Sequence, residues 1–542
     1  MILCLYLANP PNDLRVCNRM GAHHGCRRGC PATDPEGIRA MTSTLPPELI
    51  AKGKGDAKAV PHKPEGASNK PATGLRKWLD EMDAIGELRV VEGVDAEASI
   101  GLVTEMLHHT EESPAVMFDA IPGYEKGWRV LVNALGNRRR LATTLGLPTD
   151  ISTFDLVDTW QRALDDVVPL PTKLVESGPI TENIMKGDDI DLLKFPTPLW
   201  HPEDGGPFIG TGCGIITRSR DDGVVNMGTY RAQVYDAKTA AIYISPGKDG
   251  RLHRDTWFNA GEDMPAVIVA GLHPLQFMAS GLEIPRNVPE LEWVGGVLGE
   301  AIETITGEFT GLPIPADAEI AIEGFLRHDL TRDEGPFGEW TGYYASTSRP
   351  EPVFEVKAVY YRNNPIILGC PPEKPPYEAQ RFQQYGRSAA LKREIQGAGI
   401  PGVTAAWTHS VGGCRLFNII AIKQLYQGHS RQVGNIAAQV RQANYLGRIV
   451  IVVDDDIDIT DLHEVIWAVT TRADPERDMK ILTGALSGAL DPAIHPDHKG
   501  TNSRLIIDAC RPWEWLDRFP RAIGPSIEVK NFTRDTWNWV MD

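Results

Sequence analysis

Long apolar runs are missing from this sequence. None approaches the roughly 18–20 residues that a bilayer-spanning helix needs, so the chain reads as soluble. Runs of lysine or arginine are missing too, and the 542 residues carry a formal net charge of −17, which argues against a nucleic-acid-binding surface. Cysteine is scarce, with eight in all. Cys213, Cys370, Cys414 and Cys510 lie singly, as expected of reduced thiols in a cytoplasmic protein. Cys4, Cys17, Cys26 and Cys30 crowd the first thirty residues beside His23 and His24, but their spacings match no standard zinc pattern. The opening MILCLYLANPPND lacks a basic stretch ahead of its apolar run, so a secretory signal is not expected. Also absent are a phosphate loop, HExxH, a G-x-S-x-G elbow and G-x-G-x-x-G. Gly210, Gly212 and Gly214 alternate within a strand pattern, as close packing requires.

What is present is an ordinary globular composition, 42% apolar and 23% charged, on a chain long enough for two or three domains. Residues 1–72 read as a disordered leader, because Pro46, Pro47, Pro61, Pro64 and Pro71 with interspersed Gly and Lys leave little to bury; Met41 is a second candidate start. Residues 73–195 read as an N-terminal α/β domain. Its first helix is LRKWLDEMDAIGEL, with Leu75, Trp78, Leu79, Met82 and Ile85 at helical spacing and Gly86 at the end. Strands follow at 87–91 and 115–118, with a helix at 97–109 between them. Residues 196–370 change texture to short β runs (209–218, 224–235, 241–245, 266–270, 319–324, 354–361, 365–368) separated by turn residues, the signature of a barrel-like domain. Helical patterns at 274–280 and 294–300 interrupt it. Residues 371–542 alternate as an α/β C-terminal domain, with helices at 379–398, 428–443 and 463–470. Its strands fall at 416–422 and 448–458, the second apolar enough to be covered on both faces. In the tail, Phe532, Trp537, Trp539 and Val540 need a packing partner. The expected fold class is therefore α/β (α+β), in three parts behind a leader.

Two carboxylates stand out in TRDEGPFGEWTGYY. Glu334 and Glu339 are separated by Gly335, Pro336, Phe337 and Gly338, an insert that continues neither helix nor strand. The turn lets both acids point into one cavity, walled by Phe337, Trp340, Tyr343 and Tyr344. Carboxyls in a dry pocket have their pKa values pushed up and apart, which suits one of them to carry a proton at neutral pH. The competing reading is a surface turn with two solvated acids. Two further segments matter. In NMGTYR, Asn226 and Arg231 are five apart and face opposite sides of a regular strand, so they share a ligand only if Gly228 permits a bulge or the ligand wraps the strand. In IPRNVPELEW, Glu290 sits in a proline-bounded loop. Taken singly, each of these residues is as well explained by an ordinary surface position.

Taken together and in order, NMGTYR, SPGKDGRLH, FMASGLEIPRNVPELEWVGG, DEGPFGEWTGYY, VIVVDDDID and VIWAVTTRADPERD resemble the UbiD family of (de)carboxylases, over about Leu75 to Trp515. The resemblance implies an N-terminal α/β domain, a split-barrel flavin-binding domain and a C-terminal α/β domain that dimerises, some members going on to hexamers. It also implies a reversible non-oxidative decarboxylase that uses prenylated FMN. The family's catalytic arginine and two glutamates fall on Arg231, Glu334 and Glu339. Its cofactor-contacting positions fall on Asn226, Met227, Thr229, Tyr230, Arg231, Lys248, Ala279, Ser280, Gly281 and Glu290. Asn226 and Glu290 would hold Mn²⁺ or Mg²⁺, with K⁺, on the cofactor phosphate, as oxygen ligands suit hard cations. Many members have a histidine as the third metal-site residue where this chain reads SPGKDG; the nearest position here is Lys248, whose ammonium pairs with phosphate rather than with metal, and His253 is the nearby alternative.

The expected substrate is an aromatic, heteroaromatic or α,β-unsaturated carboxylic acid, with CO2 as the other partner, and a flavin prenyltransferase would supply the cofactor. Loss of CO2 from such a carbon leaves charge that no side chain holds well, so a cofactor must act as electron sink. In this reading Glu339 returns the proton, beside Arg231, with Glu334 tuning the pair. Pocket-lining candidates are Leu282, Trp340, Tyr377 and Phe417. Rival readings are a flavin reductase-like FMN oxidoreductase, which has no use for the paired carboxylates, and a non-catalytic subunit of a carboxylase complex, which would tolerate loss of Arg231 or Glu339.

Overall fold

The computed structural model describes residues 57–63 and 74–541, apart from 283, 285–287, 345–346, 489 and 525–526. These belong to one compact unit, Pro47–Asp542. The amino-terminal cysteine and histidine cluster and Met41 lie outside the described residues.

The periodic apolar positions of Leu75–Ala84 do form a helix, with Leu75, Trp78, Leu79 and Met82 buried and Gly86 past its end at φ 76°, a left-handed conformation that glycine adopts at little cost. The helix lies with a five-stranded mixed sheet of order 58–60, 88–92, 115–119, 129–132 and 366–369. Two of these strands depart from the sequence reading. Lys58–Val60, inside the expected leader, pairs antiparallel with Val90–Glu92. Ile366–Gly369, expected in the barrel, pairs parallel with Arg129–Val132. Both are short segments whose sheet is chosen by long-range pairing, which local pattern does not encode.

The central sheet is antiparallel, in the order 208–210, 231–234, 239–243, 349–361, 320–334, 264–270, 213–218 and 225–228, with 183–186 added on 349–361. Its curvature follows from connectivity. Val225–Gly228 and Arg231–Val234 lie near opposite ends of this path, yet only Thr229 and Tyr230 join them. The sheet must curl until its ends meet, giving the barrel-like core expected of this region. The long hairpin Ile320–Glu334 and Arg349–Tyr361 is far longer than the sequence pattern suggested; the outer half of its first strand is mostly exposed and polar and so lacks the alternation that marks a half-buried strand.

The C-terminal sheet runs 403–408, 417–422, 449–454, 501–509 and 479–486. Ile449–Asp454 is central, and Val450–Asp454 is buried throughout, as its continuous apolar run predicted. Met479–Leu486 and Thr501–Ala509 had no clear signal in the sequence. The helix Glu378–Gly397 packs on Val403–Thr408. In the terminal helix Ile527–Met541, Phe532, Trp537, Trp539 and Val540 are exposed.

Candidate active site

Glu334 is the last residue of one hairpin strand, in register with Arg349 on the other. Gly335 follows at φ 80°, so the chain turns immediately after the first carboxylate. The turn is held from outside. Gly205 donates its N–H to the Pro336 carbonyl at 2.8 Å, and a Cβ on Gly205 would lie 2.1 Å from the Gly335 oxygen, so only glycine fits. The Gly338 N–H reaches Asp204 Oδ1 at 3.4 Å, and Asp204 Oδ2 is bonded to His201 Nδ1 at 3.2 Å.

Across the barrel, Arg231 begins its own strand. Its Nε and Nη2 donate to Glu334 Oε1 and Oε2 at 2.7 and 2.8 Å, and its Nη1 donates to Glu339 Oε1 at 2.8 Å. All three side chains are nearly inaccessible, at 9%, 1% and 10% exposure. Such charge-assisted, two-pronged contact fixes both geometry and charge. Burial pushes the Glu339 carboxyl above its ordinary range; Arg231 and Arg349 oppose the shift and Glu334 adds to it. The turn therefore brings both acids onto one guanidinium. The wall is less aromatic than expected: Phe337 is buried, but Tyr343 and Tyr344 are 63% and 37% exposed.

The NMGTYR segment resolves its own difficulty. The strand stops at Gly228 and restarts at Arg231, so alternation is reset across Thr229 and Tyr230. A Cβ on Gly228 would fall 2.3 Å from the Tyr230 hydroxyl, which folds back over the corner. That hydroxyl accepts from Asn226 Nδ2 at 3.4 Å and from the Gly250 N–H at 3.1 Å. Burial raises the Tyr230 phenol to about 12, so it stays neutral. The Thr229 hydroxyl meets that of Ser280 at 2.5 Å, and the Thr229 N–H donates to the Ser280 carbonyl. Ala279 and Ser280 are buried at the end of the helix Pro274–Ser280, with Gly281 as its cap.

Glu290 opens the helix Glu290–Leu298 and accepts the Met227 N–H at 2.7 Å, which puts its carboxylate at the backbone next to Asn226. Burial raises Glu290 to about 7. A cavity of roughly 370 Å³, lined in part by Val225, Met227, Pro289 and Glu290, opens beside it. Lys248 is exposed at the N-cap of the helix Asp249–Asn259. His253, inside that helix, is buried and meets Thr217 Oγ1 through Nδ1 at 3.0 Å.

Comparison with known proteins places this geometry. Residues 79–160, 173–375 and 381–509 match the N-terminal, Rift-related and C-terminal domains described for 3-octaprenyl-4-hydroxybenzoate carboxy-lyase, UbiD. A pyrrole-2-carboxylic acid decarboxylase of Pseudomonas aeruginosa is 31% identical over 84% of this chain and 94% of its own. The chain belongs to the UbiD family of carboxy-lyases. Among solved structures, the open form of vanillic acid decarboxylase from Sedimentibacter hydroxybenzoicus superposes with a TM-score of 0.77 at 27% identity, covering 87% of this chain and 99% of that one. The UbiD-class enzyme HmfF from Pelotomaculum thermopropionicum, in complex with FMN, gives 0.75 at 29%, covering 84% and 98%. An evolved dimeric form of HmfF holds prFMN.

Within this UbiD chain, Tyr377 is buried and close enough to Glu339 for the carboxylate to raise its phenol further, burial being the larger cause. Trp340 is half-buried, and its carbonyl accepts from Gln380 Nε2 at 2.9 Å. Leu282 and Phe417 are likewise partly buried against the main core. Sequence reasoning missed Tyr243 and Arg349, which border Arg231, and the His201–Asp204 pair behind the turn. Tyr243 is brought beside Arg231 by strand register, and no motif flags it.

Proposed function

We propose that this protein decarboxylates an aromatic or heteroaromatic carboxylic acid, and that Arg231, Glu334 and Glu339 are its catalytic residues. The observation that carries the reading is the buried guanidinium shared by two carboxylates, one of them raised towards its protonated form. Glu339 Oε1 accepts from Arg231, so a proton on this carboxyl sits on Oε2, where it can be delivered to the carbon that CO2 leaves. Glu334 holds Arg231 from the other side, so Arg231 cannot follow Glu339 when that group is charged. Pyrrole-2-carboxylic acid and vanillic acid are the substrates named for two of the relatives. A flavin reductase would have no role for these paired carboxylates.

The residues fit a phosphate-bearing flavin held through a hard cation. Asn226 turns its Nδ2 to Tyr230 and leaves its carbonyl oxygen, and Glu290 is a half-buried carboxylate raised by desolvation, which a cation would relieve. We assign Asn226 and Glu290 to Mn²⁺ or Mg²⁺, with K⁺ nearby, Lys248 to the phosphate, and Met227, Thr229, Tyr230, Ala279, Ser280 and Gly281 to the cofactor's flank. When bound, prenylated FMN supplies the electron sink that the decarboxylated carbon requires. A flavin prenyltransferase would provide it. Free buried thiols at Cys213, Cys370, Cys414 and Cys510 favour a reducing, cytoplasmic setting, and the exposed apolar residues of the terminal helix favour a homodimer or hexamer. The two five-stranded sheets and the nine-stranded one support an N-terminal part, a flavin-binding barrel and a dimerising C-terminal part, with boundaries near 195 and 370 that 183–186 (in the barrel sheet) and 366–369 (in the N-terminal sheet) cross.

The deciding experiment is mass spectrometry of the cofactor extracted from protein co-produced with a flavin prenyltransferase, followed by assay of CO2 release from pyrrole-2-carboxylic and vanillic acids. Prenylated FMN in the extract and turnover of an aromatic acid are expected. Protein that stays colourless and inactive after supply of the prenylated flavin would refute the reading.

A further inference from the structure

Arg231 is the centre of a stack. Its guanidinium carbon lies 4.4 Å from the ring centroid of Tyr243 and 5.5 Å from that of Phe337. Phe337 is backed in turn by Phe208, centroid to centroid at 4.1 Å. Tyr243 also carries a second cation, with the Arg349 guanidinium carbon 3.9 Å from its centroid. Two guanidinium groups at these distances would overlap on one face of a ring, so they occupy opposite faces.

The strands dictate this order. Tyr243 is in register with Arg231, and Arg349 with Glu334, so four side chains from neighbouring strands converge. Arg349 is otherwise lightly held. Its Nε lies 3.3 Å from Glu351 Oε1, and its buried Nη2 makes no hydrogen bond among the described residues. The ring face therefore holds it alongside the Glu351 contact, and the π quadrupole of Tyr243 attracts a cation on either side.

We propose that Tyr243 and Arg349 are positioning residues for the decarboxylation. Tyr243 fixes the plane of the Arg231 guanidinium so that Nη1 meets Glu339 while Nε and Nη2 meet Glu334. Arg349, on the far face of the same ring, clamps Tyr243 and adds a second positive charge near Glu339. The inference rests on the reading of Glu339 as proton donor. The charged or titratable groups facing Glu339 are Arg231, Arg349, Glu334 and Tyr377. Of these only the two arginines favour its ionised form, and only Arg231 is bonded to it. Arg349 thus acts at a distance and through Tyr243, which makes its effect separable from the ion pair.

The test uses full-length protein in two states. In apoprotein, infrared difference spectra against Glu339→Gln identify the Glu339 carboxyl, and a pH titration follows its ionisation. Arg349→Met is expected to move that ionisation to higher pH, and Arg349→Lys, which keeps the charge but not the planar stack, to move it less. In the cofactor-loaded enzyme, Tyr243→Leu is expected to lower kcat about tenfold with KM within about twofold, and Tyr243→Phe to restore most of the loss. Far-UV circular dichroism checks that each variant folds; if Arg349→Met does not, the Leu and Phe pair at Tyr243 decides. Glu339 ionising at the wild-type pH in Arg349→Met, or wild-type kcat in Tyr243→Leu, would overturn the proposal. Were the loaded wild-type enzyme inactive on every aromatic acid, the functional reading would fall on its own account, while the apoprotein titration would still decide the stack.

Discussion

Glu334 takes two edges of the Arg231 guanidinium at 2.7 and 2.8 Å, although the residues are 103 positions apart in the chain. The pair is nearly sealed from solvent, so its attraction is little screened, and its desolvation was repaid only by this geometry.

Breaking it is expected to be costly. Glu334→Ala leaves Arg231 with one carboxylate in place of two, and should destabilise the apoprotein by about 3 kcal/mol, read by urea denaturation. Glu339→Gln keeps the shape and removes the ionisable group. It should cost little stability, retain flavin and depress kcat by roughly 10²- to 10⁴-fold. Near-normal turnover in Glu339→Gln, together with normal hydrogen exchange into the product at the carbon that CO2 leaves, would transfer the proton-donor role to Glu334.

A divalent cation should govern flavin retention through Glu290. Exhaustive chelation, or Glu290→Gln, is expected to lower flavin occupancy while the melting curve of the apoprotein is kept, because the phosphate loses its bridging charge. Lys248→Ala is the comparison. A larger loss of flavin in Lys248→Ala than in Glu290→Gln would mean that the ammonium, and not the cation, carries most of the phosphate's charge.

Stability should fall on the alkaline side because of His108. Burial alone would lower this imidazole, but Glu373 at 2.8 Å and Glu378 at 3.9 Å outweigh burial and raise it to about 9. A group raised on folding binds its proton more tightly in the native state. Its contribution is therefore complete below the ordinary value of 6.5 and is lost as pH climbs through about 9. The loss should be on the order of 3 kcal/mol. Urea denaturation across that interval should show it, and His108→Gln, less stable at pH 6, should show no such slope. Parallel slopes in the two proteins would mean that another group is responsible.

Shortening the chain should discriminate between two starting points. A chain beginning at Met41 keeps the strand Lys58–Val60 and the 2.8 Å contact of His62 with Asp80, and should match the full-length melting temperature. One beginning at Pro71 loses both and exposes the edge of Leu88–Glu92, so it should melt lower. Equal melting temperatures would show the strand to be dispensable.

The sequence reading was strongest where local physics is decisive. The helices at 75–84 and 378–397 and the buried strand 449–454 carry their own periodicity or apolar run, and the Gly-Pro-Phe-Gly insert had to turn. It was weakest where partners come from afar. Lys58–Val60 was read as leader and Ile366–Gly369 as barrel, since neither segment says which sheet it joins. Tyr343 and Tyr344 were read as cavity wall, since aromatic character does not state direction.

By itself, then, the sequence determined the three-part order, the acidic turn and the segments that match the family, because spacing, glycine and proline act locally. Tertiary structure alone decided that Asn226 and Arg231 sit across a break at Thr229 and Tyr230, that Arg231 is shared by Glu334 and Glu339, and that Tyr243 and Arg349 stack behind it. These relations depend on how a curled sheet closes and on strand register. Both are settled by burying apolar faces that lie far apart along the chain.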